Sequence, residues 1–73
     1  MPKYSSEIKK LASIATDLNL SAELRTRAIQ QIGNTGDHDA LIALLDLAAN
    51  EELIREEREL ALQQAREIIK SGH

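Results

Sequence analysis

The sequence predicts an all-α fold of four antiparallel helices, and three observations carry that prediction. Aliphatic residues recur every three or four positions through most of the chain, the spacing that lines one face of an α-helix. The residue types suit helices: Leu, Ile and Ala supply most of the 42% apolar content, with no Val, Phe or Trp and a single Tyr. Strands favour β-branched and aromatic side chains, so a chain with no Val and one Tyr is a poor strand former. Finally, the chain resembles itself at a spacing of 33 residues, a period that belongs to stacked helix pairs.

The first helix is expected from about Ser5 to Leu18, with Ile8, Leu11, Ala12, Ala15 and Leu18 on its apolar face. Ser5 or Ser6 can cap its start by accepting a hydrogen bond from a free backbone N–H. Asn19-Leu20-Ser21 breaks the pattern, and Ser21 caps the second helix, with Glu23 in the first turn where the helix dipole favours an anion. Leu24, Ala28 and Ile32 form its stripe, with Ile29 beside it. Gly33-Asn34-Thr35-Gly36 ends it, since glycine takes the positive φ of a helix C-terminus. Asp37 or Asp39 then caps a third helix containing Leu41, Leu44, Leu45 and Ala48. At Ala49-Asn50 two readings stand: Asn50 caps a fourth helix, or the third and fourth run together through a kink. The fourth carries Leu53, Ile54, Ala61, Ala65 and Ile68 as far as Ser71-Gly72. Connections this short place successive helices antiparallel.

Sliding the chain by 33 positions pairs Leu11 with Leu44, Ala15 with Ala48, Leu20 with Leu53 and Arg25 with Arg58. Glu23 falls on Glu56, and Ala28-Ile29-Gln30-Gln31 on Ala61-Leu62-Gln63-Gln64. Amphipathicity alone would align apolar positions at many offsets, but not the arginine and the two glutamine pairs as well. The chain is therefore read as one domain, residues 1–73, with a first repeat over about 5–36 and a second over about 37–70.

The run Leu24-Arg25-Thr26-Arg27-Ala28-Ile29-Gln30-Gln31-Ile32-Gly33-Asn34-Thr35-Gly36-Asp37, followed by Asp39-Ala40-Leu41-Ile42-Ala43-Leu44-Leu45, resembles a HEAT-like repeat. It is most similar to the short bacterial type named after phycobilisome lyases. In that family an aliphatic-Arg pair opens the second helix of a repeat, Ala follows, and Leu-Gly closes it before a Gly-Asp turn. Leu24-Arg25, Ala28, Ile32-Gly33 and Gly36-Asp37 occupy those places here. The family often sets an acid six residues before the Arg to link neighbouring repeats; this chain has Asn19 before Arg25 and Glu52 before Arg58. The second copy departs further, with Glu57 ahead of Arg58 and Ala65-Arg66 in place of Leu-Gly. The resemblance covers most of residues 8–70. It implies two HEAT-like helix-turn-helix repeats, a fragment of an α-α superhelix or a small bundle. A tetratricopeptide pair has nearly the same period, but its aromatic positions are missing.

Two repeats are fewer than such stacks usually need. Either the terminal helices serve as polar caps, or the open ends are covered by another copy or another protein. Leu62 and Ile69 lie seven apart on a stripe beside the core of the fourth helix, and Ile14, Ile29 and Leu47 flank the main stripes. If exposed they form an association surface; otherwise the core wraps wider around each helix.

Net charge is −3, split as +2 over residues 1–36 and −5 over residues 37–73. An acidic chain with one aromatic is poorly equipped for nucleic acid, which needs phosphate neutralisation and stacking platforms. No apolar run is long enough to cross a bilayer, the apolar faces are committed to the core, and a cytoplasmic location is expected. With no cysteine, disulfides, thiolate nucleophiles and cysteine-based zinc sites are excluded. His38 between Asp37 and Asp39 superficially resembles a ligand set, but neighbours on a capping turn point apart; no metal or cofactor is expected. Glu51, Glu52, Glu56, Glu57 and Glu59 alternate with Arg55 and Arg58 as surface ion pairs do, and no serine stands in a nucleophile turn. The chain is not expected to be an enzyme.

The expected function is protein–protein interaction, as an adaptor, scaffold or accessory subunit. Second helices line the concave face of helical repeats, which makes Arg25, Arg27, Gln30, Gln31, Arg58, Gln63 and Gln64 the candidate partner-binding residues. A rival reading is a self-associating structural protein, a homodimer closing its open ends. The resemblance alone implies a third: an accessory factor for attachment or turnover of phycobiliprotein pigments.

Overall fold

The computed structural model describes residues 6–71, which form four helices: α1 Ser6–Ala15, α2 Ala22–Thr35, α3 His38–Ala48 and α4 Arg55–Lys70. Together they make an all-α four-helix bundle.

Local chemistry sets most of the boundaries. Ser21 caps α2 in extended conformation, its hydroxyl accepting from the Leu24 N–H at 3.3 Å. Gly36 ends the helix at φ 70°, a left-handed turn that lacks the Cβ penalty only for glycine. One residue later Asp37, and not Asp39, caps α3 by accepting from the Ala40 N–H at 2.8 Å.

Two expected boundaries are corrected. Helix α1 stops at Ala15 instead of Leu18. There the Thr16 N–H and hydroxyl both donate to the Ala12 carbonyl, at 3.1 and 2.9 Å, and Asp17 folds into a turn that accepts from the Asn19 N–H at 3.0 Å. Ser6 already lies inside α1, and Ser5 lies outside the described residues. The second correction concerns Asn50. Helices α3 and α4 are separate, yet Asn50 does not cap α4. Its side chain accepts from the Glu52 N–H at 2.9 Å within the connecting turn, and α4 starts only after Ile54, which offers no side-chain cap.

The two halves share backbone geometry at the 33-residue offset. Helices α1 and α3 end at Ala15 and Ala48, while α2 and α4 begin at Ala22 and Arg55. Ser21 and Ile54 precede those starts with nearly the same dihedrals, φ −65°, ψ 156° and φ −68°, ψ 157°. Asp17 and Asn50 make the same side-chain turn, each also accepting at its carbonyl, from Leu20 at 3.0 Å and from Leu53 at 3.1 Å.

Helix α1 packs on α2 and α3, and α4 packs on α3 and α2; α2 and α3 also touch each other. Among the described residues α1 and α4 do not meet. The Arg25–Glu57 and Gly33–Gln64 contacts join the starts and then the later turns of α2 and α4, so these two helices run in the same direction. The molecule measures 33 × 26 × 18 Å, and its thin dimension is close to two helix diameters of about 10 Å. Helices α1 and α3 form one layer, α2 and α4 the other.

Between the layers Ile8, Ile29, Ile32 and Leu44 fill the centre. Six alanines (Ala15, Ala28, Ala40, Ala43, Ala61 and Ala65) are buried with them and keep the helices close. The single-stripe expectation is corrected here too: Leu18, Leu24, Leu45 and Ile54 are exposed, whereas Ile29 and Leu47, at the stripe edges, are buried. Leu18 and Ile54 fall outside any helix, so helical spacing does not govern them. Leu24 and Leu45 sit on helices but face outward.

Candidate interaction surface

The seven candidate residues all lie on the α2–α4 layer, but they do not form one surface. Arg25 is the clearest departure. It is 8% exposed, and its Nε–H donates to Glu57 Oε2 at 2.9 Å while an Nη1–H donates to the Leu20 carbonyl at 2.6 Å. Glu57 is 2% exposed and arrives from the first turn of α4. Arg25 is thus removed from the accessible set: it ties α2 to α4 and to its own preceding turn. The acid that serves it is neither the residue six before it, Asn19, nor Glu52. Sequence reasoning missed Glu57 as a partner, although a signal was present. At the 33-residue offset Glu57 stands where the first copy has Leu24, an acid in an aliphatic position.

Arg27, Gln30, Gln31 and Gln63 are exposed. Arg27 makes a surface pair with Glu23, one helical turn away, at 3.2 Å, an arrangement that contributes only a few tenths of a kcal/mol (~0.3–0.5). Gln63 borders a shallow groove with Leu62, Arg66, Glu67 and Lys70, built by α4 alone. The second glutamine of each copy differs in setting. Gln31 is exposed, whereas Gln64 is half-buried and lies across Gly33, so close that a Cβ on Gly33 would overlap its side-chain amide. Gln64 therefore packs in the α2–α4 seam.

Arg58 is also half-buried. Its Nε is shielded from solvent and has no hydrogen-bond partner among the described residues. Arg58 lines a groove with Ala48, Arg55, Glu59 and Leu62, between the end of α3 and the first half of α4. Arg55 and Glu59 pair across that groove's rim at 3.1 Å.

Among the described residues no three His, Cys, Asp or Glu side chains are placed to hold a metal ion. Asp37 spends its carboxylate on the helix cap beside His38. No described helix is long and apolar enough to cross a membrane. Compared with protein-family models, with curated proteins and with solved structures, the chain matches none.

Proposed function

We propose that this chain is a non-enzymatic protein–protein interaction module, an adaptor or accessory subunit built on a stacked pair of HEAT-like repeats. Three features support the HEAT-like part: the 33-residue correspondence of helix starts and ends, the missing α1–α4 contact, and the ion pair that joins the second helices. In a closed up-and-down bundle the first and fourth helices would touch.

The observation that carries the function is the exposure of Gln30 and Gln63, equivalent positions on parallel helices whose side chains make no hydrogen bond among the described residues. Amides on successive repeats, beside Arg27 and Gln31, offer donors and acceptors to a docked protein. Nothing in these side chains is suited to pigment chemistry, so the proposal stops at protein binding.

The test is affinity capture of the tagged protein from its native host, with and without Gln30→Ala and Gln63→Ala together. A protein recovered in fixed ratio with the parent is expected to be lost from the double variant, whose thermal melt stays within about 2 °C of the parent because exposed helix positions matter little to stability. Undiminished recovery with the double variant would place the binding elsewhere.

A second reading has its own observation. Ile14, Leu18 and Leu24 are exposed on the first hairpin, and Leu45, Leu62 and Ile69 on the second. Apolar residues exposed on both hairpins allow copies to stack in series, a heterologous contact that need not close. Sedimentation across a hundred-fold concentration range distinguishes the readings: a monomer throughout removes self-association.

A further inference from the structure

The second hairpin leaves uncovered several positions whose counterparts in the first are covered, among them the arginine that holds the second hairpin. Arg58 is the counterpart of Arg25, Leu62 of Ile29, Ala48 of Ala15 and Leu45 of Ala12 at the 33-residue offset. In the first hairpin these positions are largely covered: Ile29 is 0% exposed, and the Arg25 Nε–H is satisfied by Glu57. In the second they are uncovered, with Leu62 at 38% and Leu45 at 44%. The Arg58 Nε is already desolvated but has no acceptor among the described residues. A buried donor without an acceptor forfeits its hydration and gains nothing in return, so a carboxylate that displaces the side chains shielding it gains a charge-assisted bond.

The geometry points to the outer face of α4 as a docking seat for a helix of another protein that presents a glutamate to Arg58. The pattern of that helix follows from the contact inside this chain, where α4 meets α2 through Glu57 and, two turns on, through Gln64 across Gly33. The occupant needs an acid followed two turns later by a side chain that packs across the groove beside Leu62 and Ala48. A second copy of this chain lacks the pattern. Stacked in the same sense it would bring Leu24 to the place of Glu57, leaving the Arg58 Nε without an acceptor. This proposal rests on the interaction-module reading but centres on Arg58, with Gln63 at its border beside Leu62, so Arg58→Gln and the glutamine variants separate the failure of one from the failure of the other.

The probe is a synthetic peptide of residues 55–70, hydrocarbon-stapled between positions 63 and 67 to hold it helical, with a matched peptide carrying Glu57→Gln. Each is titrated into the isotope-labelled whole chain and followed by NMR. The expected result is a shift of the Arg58 Nε–H and of the Leu62 and Leu45 methyl signals. Affinity should fall about tenfold or more for the Glu57→Gln peptide, as loss of one charge-assisted hydrogen bond requires. The same fall is expected for Arg58→Gln in the chain, with the melting temperature unchanged. Equal affinity for the two peptides, or no shift at Arg58, overturns the proposal. So do shifts confined to Arg25 and Ile29, which would mean the peptide displaces α4. Identical shifts on concentrating the chain without peptide would assign the face to a second copy and overturn it as well.

Discussion

At the residue scale the molecule turns on Arg25 and Glu57. Both charges are withdrawn from water, and Glu57 Oε1 remains without a hydrogen-bond partner among the described residues. A buried pair of this kind offsets its desolvation only when every lone pair and proton is engaged. Arg25→Leu, which strands the Glu57 carboxylate in the interior, is expected to cost about 3–5 kcal/mol in chemical denaturation. Arg25→Met with Glu57→Leu should recover most of that loss or exceed the parent. A double variant no more stable than the single would show that the pair is net stabilising. The arginine was visible in the sequence as a recurring position, but its role was not. Exposure cannot be read from residue type, and the acid that completes the pair is 32 residues away. The glutamines show the same limit: Gln31 and Gln64 are equivalent in sequence, yet only Gln64 has a neighbouring helix over Gly33.

At the scale of the helices, most of the architecture was legible because it is written locally. Ser21, Gly36 and Asp37 act through atoms within a few residues of themselves, and their helix ends fall where their chemistry puts them. Asn50 failed as a cap because its side chain closes the turn with Glu52 instead. The stripes predicted from periodicity also failed at Leu24 and Leu45, since spacing reveals that a helix is amphipathic but not how many neighbours share its faces. The α2–α4 seam offers a sharper test. Gly33→Ala should gain about 1 kcal/mol from helix propensity but meets the Gln64 side-chain amide, whose Cδ would lie 2.8 Å from the new methyl. The substitution is expected to destabilise the parent by about 1 kcal/mol and to turn stabilising in a Gln64→Ala background, by less than the full propensity gain because the Cβ at position 64 stays 3.1 Å away. Additive effects in this double-mutant cycle would deny that Gln64 occupies the seam.

The whole molecule is organised around α2 and α3, each of which touches the other three helices. Leu44, fully buried on α3, is expected to cost about 2–5 kcal/mol as Leu44→Ala. In a chain of 73 residues that is a large share of the total stability. The loss should appear in one transition, with hydrogen exchange accelerating together in α1 and α4. Two separated transitions would mean the hairpins fold as independent units.

The missing contact between α1 and α4 also bears on how the chain reaches this state. Among the described residues no pairing requires α1 to find α4; contacts between helices of adjacent hairpins link equivalent positions about one repeat apart. Loop-closure entropy therefore stays small, and folding rate tracks such locality. As the polypeptide leaves the ribosome, α2 can settle on α1 before α3 exists, and α3 has both helices waiting for it. Helix α4 arrives last and finds Arg25 already positioned for Glu57. Each step adds a helix to a surface that earlier steps have completed, so synthesis in order from the N-terminus follows the order in which the packing becomes possible.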